Sequence, residues 1–145
     1  MKGIYSKLLV AFDGSRQSKK ALDTAVKMAK LDEDLEIHVV YVKKPVIVLE
    51  GYTGIYFEQR LEEPNKEAEI ILNEAKNILN AVPNPVYTHI IEGDPAEEII
   101  ELAKGKNIDL ILIGSRGLSG IKEFFLGSVS LGVAQRAECP VLIVK

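Results

Sequence analysis

Two short stretches of this sequence carry residue types suited to holding an anion. They are Gly114-Ser115-Arg116-Gly117-Leu118-Ser119-Gly120 and Gly127-Ser128-Val129-Ser130. Glycines let backbone N–H groups approach a charged oxygen without interference from a Cβ. Ser128 and Ser130 add hydroxyl donors, and Arg116 and Lys122 are candidate cations. A helix starting at about Ser128 would add unpaired amides and a partial charge of about +0.5 at its N-terminus. Phosphate suits this chemistry; plain turn and cap chemistry is the alternative reading of the same residues. A third stretch, Asp13-Gly14-Ser15, sets a carboxylate at the end of an apolar run, where it can face a ligand or cap a helix.

Neither of two common phosphate motifs is present. The chain has no Gly-x-x-x-x-Gly-Lys-Ser/Thr, and the turn Asp13-Gly14-Ser15-Arg16 lacks Gly-x-Gly-x-x-Gly.

The elements that must position these residues read as alternating strands and helices. Lys7-Leu8-Leu9-Val10-Ala11-Phe12 is a nearly continuous apolar run, as in a strand buried on both faces. Ser15 can cap a following helix whose apolar face is Ala21, Leu22, Ala25, Val26, Met28 and Ala29. Leu35 to Val42 reads as a second strand, and Lys43 to Glu63 as a long loop that could enter the next helix early. Pro64 suits that helix's first turn, and Ala68, Ile71, Leu72, Ala75, Ile78 and Leu79 follow at helical spacing. Pro83-Asn84-Pro85 ends it, and Val86 to Ile91 is a third strand. Asp94, Pro95 and Glu97 form a helix start with a capping box, and Gly105 fits the left-handed position past that helix's end. Asp109 to Ile113 and Val141 to Val144 complete five strands. A βαβαβαβαβ order implies one open, doubly wound parallel sheet with helices on both faces.

Composition bounds the function. The chain has 145 residues, 47% of them apolar and 27% charged, with a net charge of −3. That length suits one domain spanning 1–145. The mixed charges provide no basic stripe for a nucleic-acid backbone. No apolar run approaches the ~20 residues of a membrane span, and the N-terminus has no apolar leader, so a cytoplasmic protein is expected. The single cysteine, Cys139, excludes a disulfide framework and reads as a small buried hydrophobe. His38 and His89 fall in separate predicted strands with no Cys or carboxylate cluster, so packing or surface roles are expected.

Gly114-x2-Gly117-x9-Gly127-Ser128 resembles the ATP-binding pattern of the universal stress protein family, with no departure in spacing. Asp13-Gly14-Ser15, Gly93-Asp94-Pro95, Asp109 to Gly117 and the ending Cys139-Pro140-Val141-Leu142-Ile143-Val144 are similar to other family signatures, so the resemblance spans essentially the whole chain. It implies a Rossmann-like five-stranded sheet of order 3-2-1-4-5, a role in stress response, and ATP in the crevice, with AMP or ADP as alternatives and Mg²⁺ or Mn²⁺ on the phosphates. By this resemblance Asp13 lies near the ribose and phosphates. Ala11 and Val42 offer backbone groups to the adenine, with Phe12 beside Ala11, and Ile113 walls the pocket. Gly114, Gly117 and Gly127 give the phosphates room. Ser128, Val129 and Ser130 supply donors, and Arg116 joins them. The resemblance further implies a homodimer through Val141 to Val144. That apolar strand would be an exposed sheet edge, which invites pairing unless covered.

Three functions compete on these residues. A nucleotide-dependent switch or sensor acting on an unnamed protein partner needs only the binding site. An ATPase or phosphotransferase needs cation clamps and a positioned nucleophile, of which the sequence offers few, so at most slow hydrolysis is expected. A flavin domain shares this fold, but the chain has no Trp and no aromatic with an assigned place at the glycine loop.

Overall fold

Alternate residues of the central strands enter opposite cores, which is why their sequence is apolar without interruption. In the computed structural model, which describes residues 3–45, 55–116 and 126–145 (55–65 as backbone only), nine elements follow in order. They are β1 (Lys7–Ala11), α1 (Arg16–Leu31), β2 (Glu36–Lys43), α2 (Ile55–Leu79), β3 (Val86–Glu92), α3 (Pro95–Gly105), β4 (Leu110–Gly114), α4 (Ser128–Arg136) and β5 (Val141–Val144). The strands form one parallel sheet in the order β3-β2-β1-β4-β5. Leu8, Val10 and Phe12 pack with α1 and α2 residues such as Leu22, Ala25, Leu72 and Ala75. Leu9, Val40, Ile111 and Ile113 pack on the other face with Ala96, Ile99 and Ala103 of α3 and Val133 of α4. Each such large side chain stabilises the fold by about 1.5–3 kcal/mol.

Local chemistry sets the boundaries. Ser15 caps α1, its Oγ accepting from Ser18 N at 3.2 Å. Asp94 caps α3 by accepting from Glu97 N at 3.1 Å, and Pro95 follows in the first turn. Asp109 precedes β4, and its carboxylate accepts from the amides of Ser6 (2.8 Å) and Lys7 (2.9 Å), pinning the start of β1.

Two expectations are corrected. The left-handed residue after α3 is Asn107 (φ 55°), while Gly105 lies within the helix. Ile108 N donates to Ala103 O at 2.9 Å and Asn107 N to Lys104 O at 3.3 Å, the paired closing bonds of a Schellman end. Asn tolerates that conformation, and Ile108 reaches the core by it. Second, α2 begins at Ile55, so Pro64 lies in its interior and not in its first turn. Glu, Gln, Arg and Leu between 58 and 63 favour helix, and the chain continues through the one amide that proline lacks.

Candidate functional site

Strand order reverses between β1 and β4, so the chain leaves β1 toward β2 and later crosses back to β4. In such a sheet the crevice beyond the carboxyl ends of these two strands is the natural ligand site. Asp13 follows β1, Ser115 and Arg116 follow β4, and α4 starts beside the β4 end.

One hydrogen-bond cluster fastens α4 to β4. Gly127 N donates to Ser115 O at 2.7 Å. The buried Ser130 Oγ lies 3.0 Å from both Ser115 O and Gly127 O and donates to that pair of carbonyls. The first intrahelical bond is Leu131 N to Gly127 O, so Ser128, Val129 and Ser130 have amides without an intrahelical acceptor. Gly127 supplies no side-chain cap to compete for them. Ser128 is exposed in the first turn, and Val129 is half-buried beside it. The start of α4 is therefore a set of N–H donors that no carbonyl of the helix accepts.

The glycines divide between two tasks. Gly127 has an ordinary backbone (φ −61°), so its glycine identity rests on space: an added Cβ would lie 3.3 Å from Ser115 O. At Gly114 an added Cβ would meet Gln17 C at 2.7 Å and Gln17 O at 2.9 Å, so helix α1 packs where a side chain would be. Gly14 is the one described glycine of the crevice at positive φ (81°). Gly117 and Lys122 fall outside the described residues.

The remaining predicted residues occupy the same strand ends. Phe12 is buried in the α1/α2 core and its N–H donates to Val40 O at 2.9 Å, so its side chain is structural. Ala11 pairs with Val40, Val42 pairs with Ile91, and both flank the α3/α4 core that contains Ile113. Arg116 is half-buried. Asp13 Oδ1 accepts from Ser15 N at 2.9 Å, which folds the turn after β1 and fixes the carboxylate at the crevice. Burial, then Glu67, then Asp13 push the pKa of the half-buried Tyr41 phenol up, which puts a neutral hydroxyl beside two carboxylates. Cys139, expected to be buried, is half-buried against the α3/α4 core, and burial pushes its thiol up.

Sequence reasoning missed two features. Ser115 was read only as part of a glycine-rich run, although its carbonyl organises the α4 start. His38 and His89, assigned separately to packing or surface, meet through their ring nitrogens at 2.9 Å. Their pairing depends on strand neighbours, which spacing along the chain does not display.

The model of the Universal stress protein family matches residues 4–145. The chain belongs to the universal stress protein family. This universal stress protein is 41% identical over 149 residues to Universal stress protein YxiE of Bacillus subtilis, covering 98% of this chain and 100% of the relative. It is similar to the solved structure of MJ0577 from Methanocaldococcus jannaschii, with a TM-score of 0.79 and 32% identity, covering 99% of this chain and 97% of the other. A universal stress protein solved in complex with cAMP matches with a TM-score of 0.74 and 29% identity over 99% of each chain. The five-stranded parallel sheet of order 3-2-1-4-5 is thus the Rossmann-like fold of the family. Among the described residues no helix is long and apolar enough to cross a membrane.

Proposed function

We propose that this universal stress protein binds ATP, with AMP or ADP as alternatives, and acts in the cytoplasm as a nucleotide-dependent switch or sensor in stress response. The observation that carries this reading is the α4 start: three amides without intrahelical acceptors, a helix-dipole end and the exposed Ser128, held against the β4 terminus at the strand-order reversal. The missing Gly127 Cβ lets the α4 start lie close against Ser115 O, which holds these amides at the β4 end. A 29%-identical relative solved with cAMP supports an adenine nucleotide. In this reading the amides of Ser128, Val129 and Ser130 and the Ser128 hydroxyl hold phosphate, with Arg116 and Gly117 completing the loop. Asp13 accepts from the ribose hydroxyls, and Ala11, Val42 and Ile113 border the base. ATP would supply negative charge and an Mg²⁺ or Mn²⁺ carried on its phosphates. Among the described residues no cluster of metal-ligating side chains is placed to hold a cation without it.

The switch follows from linkage. A ligand bound only to the folded state stabilises it by about 2.7 kcal/mol at a hundredfold excess over its dissociation constant. Ordering at the crevice would present a different surface to a protein partner. The second part of the proposal is a homodimer through Val141 to Val144. Support comes from β5's position at the sheet edge and from Leu142, which is 41% exposed on it.

Isothermal calorimetry with ATP, GTP and cAMP tests the site. Micromolar ATP binding, about −8 kcal/mol, is expected. No heat and no thermal shift at millimolar ATP would reject it.

A further inference from the structure

A line of hydrogen bonds runs across the α3-side face of the sheet, away from the crevice. Glu36 and His38 share one face of β2, and His89 stands on the neighbouring edge strand β3. His38 Nε2 is 2.6 Å from Glu36 Oε1, and His38 Nδ1 is 2.9 Å from His89 Nε2. His38 is buried, with its ring stacked on Tyr87 of β3 at 4.9 Å. The carboxylate can only accept, so His38 Nε2 carries a hydrogen. Neutral His38 then accepts at Nδ1, and His89 Nε2–H donates to it.

This geometry counts protons. With one added proton His38 donates from both nitrogens, and His89 accepts at Nε2, so both bonds survive. With two, N–H faces N–H at 2.9 Å and two cations adjoin, so the inter-strand bond cannot form. The three groups lie in a line and not around a common point, and among the described residues no metal-binding cluster exists.

We propose that Glu36, His38 and His89 form an acid-sensitive latch, which ties edge strand β3 to β2 until the histidine pair holds two protons and then releases it. The surrounding charges favour release. Lys106, just past α3, adds positive charge near His89. Lys7 on β1 stands in register beside Glu36, with its Nζ 3.3 Å from Lys106 O. Asp109, the acid nearest Lys106 in sequence, has its carboxylate engaged by the amides of Ser6 and Lys7. From β3 itself Tyr87 presents a neutral ring. Burial first, then His38, then Lys106 hold the His89 imidazole below its ordinary value. The sign at His89 follows: the folded chain binds fewer protons at this imidazole than the unfolded one. The stability is present above the ordinary imidazole value and is lost as pH falls from there toward the lowered one.

The test is ¹⁵N NMR and amide hydrogen exchange on the intact protein at about pH 8 and about pH 5, on either side of the imidazole range. At the higher pH a scalar coupling between His38 Nδ1 and His89 Nε2 is expected across the hydrogen bond. At the lower pH the coupling disappears, and amides of Val86–Glu92 lose protection after correction for intrinsic rates. In H89Q the amide still donates to His38 but cannot titrate, so β3 protection should be the same at both pH values. Absence of the coupling at the higher pH overturns the latch. So does unchanged β3 protection in the parent, or an H89Q variant that loses protection as the parent does. If H89Q fails to fold, the parent's coupling and exchange decide the matter alone.

Discussion

Replacing Gly114 with alanine should destabilise the fold while leaving the anion site's own donors in place. The new Cβ would fall 2.7 Å from Gln17 C, 2.8 Å from Gln17 Cβ and 2.9 Å from Gln17 O. Two of these atoms are backbone, so no side-chain rotation relieves the clash, and α1 must move off β4. Overpacking of this kind costs about 1–3 kcal/mol, and the backbone contact puts it near ~3. Alanine recovers roughly 0.5–1 kcal/mol of the entropy that a strand glycine gives up. The net loss is about 2 kcal/mol, or a melting temperature lower by roughly 5–8 °C for a chain of this size. G127A is the milder comparison, since its Cβ would lie 3.3 Å from Ser115 O at an ordinary φ, a tight contact that a small shift relieves. Thermal unfolding followed by circular dichroism, with ATP affinity measured on the same samples, separates the two positions. A G114A protein that melts with the parent but loses ATP would refute the packing argument and move Gly114 into the ligand site.

Ser128→Ala and Ser130→Ala should part company. Losing the exposed Ser128 hydroxyl should weaken ATP by about 1–3 kcal/mol with no change in melting, whereas losing the buried Ser130 hydroxyl should lower stability by about 1 kcal/mol. Calorimetry and melting on both variants check this, and equal behaviour would contradict it. Light scattering should find the parent a dimer and Ile143→Lys a monomer; a monomeric, soluble parent, or a dimer indifferent to the change, would reject assembly through β5.

Much of this protein was determined by local rules. Asp94 with Pro95 and Ser15 before Arg16 start helices wherever they fall, because each satisfies amides within three residues. The apolar runs of β1 and β4 announced a sheet covered on both faces, and the glycine and serine spacing pointed to the α4 start. What tertiary structure decided lies between segments distant in sequence. Gly114 is needed because α1 crosses β4 there, and no spacing records which helix covers which strand. Ser130 reads as a free donor until its hydroxyl is seen between the carbonyls of Ser115 and Gly127. His38 and His89 are 51 residues apart and meet only because β2 and β3 are neighbours in a register that pairs His89 with Val40. Hydrogen bonds of a cap are local and therefore written in sequence; those between strands depend on register, which only the packed sheet sets.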